Sequence, residues 1–319
     1  MPSVANLSLF FDKINESGTF SEGDTIRGNV SLRLLKTIRV LRLSVKAKGD
    51  VITKWTDRND EGDLVTCRQH YRLFTKKQFL KLKENVLSPG IYSFSFNIQI
   101  PFEKYLPSSF SGEHGSIQYQ LEAKLCRRTK RARTFQKEFT FQSKSVPQSA
   151  LFVPQTASTK AEITTNKGGY VKIEVWLERN TFAPGETVKV VAKITNTSNH
   201  IVKADYELTL NVDYRKLSSP SQSTTLQTGS GRLVRPQSKQ KEEWRICLSP
   251  ETPLTLHDCK WIKSQYNLQV VLQVHDVAPK VNFPLFVIAR DSLTKVCFHT
   301  KKRAYTRPKA RPDHTFTLF

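Results

Sequence analysis

Cysteine is scarce and unpatterned in this sequence. Its five residues, Cys67, Cys126, Cys247, Cys259 and Cys297, are odd in number and show no C-x-x-C spacing, which excludes a disulfide framework and a structural zinc site of the usual kind. Long apolar runs are missing as well, so no transmembrane helix is expected. The N-terminal segment does not join a basic flank to an apolar stretch, so no signal peptide is expected either. These absences predict a reduced, soluble, intracellular chain. Gly229-Ser230-Gly231 is the nearest approach to a phosphate-cradling loop, and it lacks the third glycine and the following lysine. Acidic residues complete the shortages: 28 Asp and Glu stand against 50 Lys and Arg, a formal net of +22 over 319 residues. Such a surplus favours anionic partners, whether phosphorylated peptides, acidic headgroups or nucleic acid, without choosing among them.

What is present is period-2 alternation. Ile26, Gly28, Val30, Leu32 and Leu34 share one face of a strand, with Arg27, Asn29, Ser31 and Arg33 on the other. The same pattern holds for Leu41/Leu43/Val45/Ala47, Phe94/Phe96/Ile98/Ile100 and Ile117/Tyr119/Leu121/Ala123/Leu125. It returns in Val171/Ile173/Val175/Leu177, Val188/Val190/Ala192/Ile194, Tyr206/Leu208/Leu210/Val212 and Tyr266/Leu268/Val270/Leu272/Val274. Many half-buried strands split by turn residues predict antiparallel sheets packed face to face. The one helix-compatible stretch, Phe74 to Leu82, is short and equally compatible with a strand.

The chain also repeats itself. Phe20-Ser21-Glu22-Gly23-Asp24-Thr25-Ile26 returns as Phe182-Ala183-Pro184-Gly185-Glu186-Thr187-Val188, and Gln118-Tyr119-Gln120-Leu121 returns as Gln265-Tyr266-Asn267-Leu268. Two landmarks in the same order predict two copies of one sandwich. Between them, roughly residues 143 to 166 are rich in Ser, Thr, Gln and Pro with few strand signals, as in a linker. After about Ala289 the alternation decays into a basic tail broken by Pro308 and Pro312, which is expected to be disordered in isolation.

These motifs resemble the arrestin family, and more closely its α-arrestin, or arrestin domain-containing, branch. The resemblance rests on Phe20-x-x-Gly23-Asp24-x-Ile26-x-Gly28-x-Val30 and on Leu87-Ser88-Pro89-Gly90-x-Tyr92-x-Phe94-x-Phe96. It continues through Leu106-Pro107-Ser108-Ser109-Phe110 and Gly115-x-Ile117-x-Tyr119-x-Leu121, and in the second half through Gly169-x-Val171-x-Ile173 and Phe182-x-Pro184-Gly185-Glu186. It implies an all-β chain of two tandem immunoglobulin-like antiparallel β-sandwich domains, the arrestin fold. The N-terminal domain would occupy residues 1–145, a linker 146–166, the C-terminal domain 167–291 and a short basic disordered tail 292–319. It also implies a non-enzymatic adaptor that binds the cytosolic tails of membrane proteins and supports endocytic or endosomal trafficking. Such a protein would be cytoplasmic and peripherally associated with the plasma membrane or endosomes, with no cofactor. Two family features are absent. The sequence holds no Pro-Pro pair, so the Pro-Pro-x-Tyr motif that would recruit WW-domain ubiquitin ligases is missing. Leu7-Ser8-Leu9-Phe10-Phe11-Asp12 lacks the paired lysines with which receptor-type arrestins sense phosphate.

Three candidate sites follow from the residues themselves. Lys124, Arg127, Arg128, Lys130, Arg131 and Arg133, with Lys137 beyond, face no acid within their segment and read as a hairpin tip able to grip phosphate or an acidic peptide; an exposed, merely solubilising hairpin fits the same charges. Lys301, Lys302, Arg303, Arg307, Lys309 and Arg311 read as a tail attracted to an anionic membrane surface, or as a solvated tail. Thr317 and Phe319 match the minimal pattern of a PDZ-binding carboxy-terminus, or Phe316 and Phe319 dock back on the body. His257-Asp258-Cys259 is the one local His/Cys grouping, and two ligands make neither a zinc site nor a nucleophile–base pair. No catalytic, metal or cofactor residue is expected. The competing reading is a nucleic-acid- or anionic-lipid-associated β protein acting through net charge; nucleic acid is the weaker partner, because the aromatics are placed for cores instead of base stacking.

Overall fold

The computed structural model describes residues 3–103, 105–128, 130–150, 152–163, 168–214, 221–274 and 278–293. Its strands follow the alternation. In the first half they are β1 (Val4–Phe11), β2 (Thr19–Phe20), β3 (Thr25–Leu34), β4 (Ile38–Arg58), β5 (Leu64–Phe79), β6 (Val86–Leu87), β7 (Gly90–Gln99), β8 (Phe110–Gly112), β9 (Gly115–Arg127) and β10 (Arg133–Phe141). In the second they are β11 (Gln155–Glu162), β12 (Tyr170–Leu177), β13 (Thr181–Phe182), β14 (Thr187–Asn196), β15 (Val202–Tyr214), β16 (Ser221–Val234), β17 (Ser238–Cys247), β18 (Ile262–Gln273) and β19 (Lys280–Val287). Each half makes two sheets. The first pairs β1-β3-β7 and β2-β10-β9-β4-β5, with β6 on β4 and β8 on β9; the second pairs β11-β12-β14-β17 and β13-β19-β18-β15-β16. Two compact units result, one of Met1–Ser145, Thr209–Leu226 and Pro253–Tyr266, the other of Val146–Leu208, Gln227–Thr252 and Asn267–Phe319. The described helix is a single turn at residues 290–293, and no helix among the described residues is long and apolar enough to cross a membrane. Cys67, Cys126, Cys247 and Cys259 are free thiols.

Period-2 patterning places one side-chain set in each core. Ile117, Tyr119, Leu121, Ala123 and Leu125 of β9 are essentially fully buried, as are Val171, Ile173 and Val175 of β12. Each such Val, Leu or Ile contributes about 1.5–3 kcal/mol by leaving water. Tyr119 is the centre of the first core. Its ring stacks on Phe141 at 4.6 Å and lies near Phe74 and Phe139, and it crosses its register partner Gly49, where any Cβ would run into it.

Some expectations need correction. Leu41 is 60% exposed, because a register shift between Val40 and Arg42 throws it off the buried face. Phe94 is only half-buried, since it lies on an end strand of its sheet. The Phe74–Leu82 stretch is strand as far as Phe79. The segment read as linker holds β11, whose Gln-Thr-Ala-Ser-Thr-Lys-Ala-Glu sequence carries no large apolar residue and hence no alternation signal.

The internal repeat is realised atom by atom. In the first copy the Ser21 N–H donates to Asp24 Oδ2 at 2.7 Å while the Asp24 N–H donates to the Ser21 carbonyl. In the second the Ala183 N–H donates to Glu186 Oε2 at 2.9 Å and the Glu186 N–H to the Ala183 carbonyl. Gly23 and Gly185, at φ 82° and 81°, close both turns in the left-handed region. The preceding Thr-Phe pairs each join the last strand of a sheet in parallel, β2 on β10 and β13 on β19. The second landmark also repeats. Tyr119 donates its hydroxyl to the Pro107 carbonyl at 2.5 Å, and Tyr266 donates to the Pro253 carbonyl at 2.7 Å. Burial pushes both phenol pKa values up, so both remain donors.

Both halves leave a seam where the end strands of two sheets face each other, and each seam is bridged by a side chain. Between β5 and β7 the Asn97 N–H donates to Gln78 Oε1 at 3.0 Å, and Gln78 Nε2 reaches back to Asn97 Oδ1 at 3.4 Å. Between β16 and β17 the Arg232 N–H donates to Glu242 Oε1 at 2.8 Å, and Gly231 leaves the room that the Glu242 carboxylate fills.

Tyr119→Phe strands the buried Pro107 carbonyl and is expected to cost about 1–3 kcal/mol. Tyr266→Phe frees the carbonyl of the exposed Pro253 and is expected to cost about 0.5–1.5 kcal/mol, both measured by denaturant unfolding.

Candidate anion-binding face

Sheet register assembles a cationic surface that linear sequence disperses. On β9 the residues between the core positions, Gln120, Glu122 and Lys124, point outward. Register then sets them in rows across four strands. One row is Thr134–Lys124–Ser44–Phe79, the next Gln136–Glu122–Lys46–Lys77, the next Glu138–Gln120–Lys48–Thr75. Arg42 continues the face beside Cys126. Arg42, Lys46, Lys48, Lys77 and Lys124 therefore share these rows with Glu122 and Glu138, and in the following row a third carboxylate, Asp50, is paired with Arg72.

Glu122 organises this face. Its carboxylate accepts from Lys46 Nζ at 3.0 Å and Gln136 Nε2 at 2.9 Å, with Lys48 Nζ at 3.6 Å. Burial pushes the carboxyl pKa up, but the Gln136 and Lys46 hydrogen bonds and the two lysine charges outweigh it and hold the group below the usual range. Among the described residues no carboxylate lies within ion-pair distance of Arg42, Lys77 or Lys124. Phe79, 57% exposed, is covered instead by the Arg42 guanidinium at 5.6 Å and the Lys77 ammonium at 4.9 Å from its ring centroid. Directly opposed residues in such rows are about 4.5–5.5 Å apart, a spacing at which successive anionic groups on one ligand reach neighbouring cations.

The hairpin expected from the sequence is where it was expected: β9 ends at Arg127 and β10 starts at Arg133. Its cations do not act alike, however. Arg127 folds back, donating to the Arg131 carbonyl at 2.7 Å and to Ser3 Oγ at 3.3 Å, so it fastens the hairpin. Arg128, Lys130, Arg131 and Arg133 are exposed at the tip, whereas Lys124 belongs to the sheet face. Lys137 caps the rings of Phe11 at 4.7 Å and Phe10 at 5.7 Å. Sequence reading overlooked Arg42, Lys46 and Lys48, although the alternation of Leu43, Val45 and Ala47 already sets them on the opposite face. Lys77 joins only through strand pairing, which no local pattern announces.

The His257–Cys259 grouping shows no sign of an activated nucleophile. Cys259 is buried and burial pushes its thiol pKa up, the reverse of an activated nucleophile. His257 sits 3.1 Å from Asp258, and burial lowers its pKa. Among the described residues no group of three His, Cys, Asp or Glu could hold a metal ion. The tail residues Lys301, Lys302, Arg303, Arg307, Lys309, Arg311, Thr317 and Phe319 lie outside the described residues.

Comparison with known proteins supplies the context. The family description "Arrestin (or S-antigen), N-terminal domain" matches residues 7–145, and "Arrestin (or S-antigen), C-terminal domain" matches residues 167–291. The chain is 26% identical over 276 residues to arrestin domain-containing protein 5 of Homo sapiens, covering 81% of this chain and 74% of that protein. It is 24% identical over 288 residues to arrestin domain-containing protein 4 of Homo sapiens, covering 85% and 68%. The pH-response regulator protein palF/RIM8 of Pyricularia oryzae shares 31% identity over 125 residues, 34% of this chain and 15% of that protein.

Glu122→Gln tests the organising role of this carboxylate. A carboxyl held below its unfolded pKa, about 4.3 for Glu, stabilises the fold above that pH and loses the contribution as pH falls through the folded value. The variant is expected to be less stable at neutral pH by about 1 kcal/mol or less, the gap closing in acid, as read from thermal midpoints across pH.

Proposed function

Since the chain belongs to the arrestin family, whose members are non-enzymatic adaptors, we propose that it binds the cytosolic tails of membrane-protein cargo and supports their endocytic or endosomal transport. The observation that carries this reading is the outward face of β10-β9-β4-β5. There Arg42, Lys77 and Lys124 have no carboxylate partner among the described residues, and the tip cations Arg128, Lys130, Arg131 and Arg133 extend the same sheet. An extended cargo tail bearing phosphates or carboxylates would neutralise these charges successively, each contact being a charge-assisted hydrogen bond.

The working place of such an adaptor is the cytoplasmic side of the plasma membrane or of endosomes. The basic run Lys301 to Arg311 supports residence there, since each Lys or Arg near an anionic leaflet contributes about 1 kcal/mol. Within these 319 residues the missing Pro-Pro pair leaves WW-domain ligases without a docking motif.

The test is capture from detergent-solubilised membrane extract by the purified chain, with and without phosphatase treatment. Membrane proteins are expected to be retained. The R128A/K130A/R133A and K46E/K124E variants are each expected to lose about tenfold in affinity for them, a difference of about 1.4 kcal/mol. Loss on phosphatase treatment would identify phosphate as the group read. Recovery of nucleic acid or ribosomal material alone would overturn the adaptor reading and leave net charge as the binding principle.

A further inference from the structure

β7 carries a main-chain edge that the sheet leaves open. β7 ends the β1-β3-β7 sheet, and among the described residues no strand is ladder-paired with its other side, β5 reaching it only through the Gln78–Asn97 bridge. Its ladder with β3 runs without a shift from Gly90 to Gln99. The Asn97 N–H points away from β3, because it donates to Gln78 Oε1. Outward main-chain groups recur at every second residue of an antiparallel strand, so Ile91, Ser93 and Ser95 present theirs on the same edge.

Beside that edge the facing sheet falls away. β5 stops at Phe79, the Leu80 N–H turns to the Leu43 carbonyl, and the chain crosses to β6. What remains is a cavity of about 810 Å³, with Phe79, Leu80, Leu87, Ile91, Tyr92 and Phe94 among its walls. Ile91 is 76% exposed and Tyr92 and Phe94 only half-buried, leaving apolar surface that the sandwich itself does not cover. Lys81 and Lys83 line the same cavity against the single carboxylate of Glu84.

We propose that this cavity is a strand-addition site, where an extended acidic peptide of a partner protein pairs with the Ile91–Ser95 edge of β7. The free edge supplies main-chain hydrogen bonds. Alternate side chains of the added strand lie over Tyr92 and Phe94, which favours apolar residues at every second position. The lysines set the sign of the charged residues between them. The Gln78–Asn97 clasp ends the site, because beyond Ser95 the next outward N–H is already taken. The chain's own C-terminal run, Lys301 to Arg311, carries the wrong charge, which points to a partner. From the cargo-tail reading this proposal takes only the source of the peptide.

Proline at position 93 would remove an N–H that β3 does not use, so the fold can tolerate it on an edge strand while strand addition cannot. The test titrates a fluorescein-labelled peptide of about nine residues, alternating valine and glutamate, into the full chain and follows anisotropy. The same peptide with lysine for glutamate is the control. Ser93→Pro and the K81E/K83E variant are each expected to weaken binding about tenfold or more. Amide exchange at Ile91 and Ser95 should slow in the complex and should keep its free rate when the lysine peptide is added.

Absence of peptide binding, unchanged affinity in K81E/K83E, or equal binding of the lysine peptide would overturn the proposal. So would unchanged affinity in a Ser93→Pro variant whose melting matches the parent. K81E/K83E leaves the backbone alone and decides the matter if the proline variant does not fold. Loss of binding only in the hairpin variant would place the peptide on the basic face instead. Self-association abolished by Ser93→Pro would assign the edge to a second copy. Failure here with membrane proteins still captured would leave the cargo reading intact.

Discussion

The ring of Tyr119 lies across Gly49, and its hydroxyl ends on the Pro107 carbonyl. From that position it meets Phe74, Phe139 and Phe141, so one side chain ties β9 to β4, β5, β10 and the loop before β8. A sandwich core tolerates little unfilled or overfilled volume, and glycine at position 49 is what gives the ring its place. The register that this contact helps to fix between β9 and β4 is the same register that sets Lys124 beside Ser44 and Glu122 beside Lys46. A one-residue slip would turn every side chain to the opposite face. The buried aromatic and the exposed charge pattern are two sides of one constraint.

Most of this architecture was legible in the sequence, and what was not follows a rule. Strands with a buried face announce themselves, as Ile117 through Leu125 does, because burial demands apolar residues at every second position. β11 does not, because its Thr, Ser, Ala and Lys residues cover a sheet margin with no core to fill. Leu41 misled because a bulge alters phase without altering composition. The candidate site was half legible. The hairpin cations are contiguous and easy to see, but Arg127 proved to be a fastener of the turn, held by the Arg131 carbonyl and by Ser3, which is remote in sequence. The lysines of the sheet face come from separate strands, and Lys77 meets Lys46 only through pairing.

Charge on this molecule is therefore arranged, not merely abundant. Glu122 holds Lys46 and Lys48 in place, so the remaining cations of the face stand on an ordered base. Exposed ion pairs of this kind add little stability; their larger effect is orientation, since a lysine held by a carboxylate presents its neighbours at a defined spacing. A surface so ordered suits a ligand with repeated negative charge better than a single ion.

The acid-capped turn and the tyrosine-to-proline bond recur in both halves with nearly the same geometry, whereas the two seams are closed from opposite directions, by Gln78 on β5 in one and by Glu242 on β17 in the other. The recurrence thus lies in the turns and cores of the two halves, and the difference lies at their margins. Once the fold no longer depends on a common closure, each margin can diversify without endangering the other. A duplicated adaptor of this kind can gain a new ligand on one copy while the older specificity persists on its sibling.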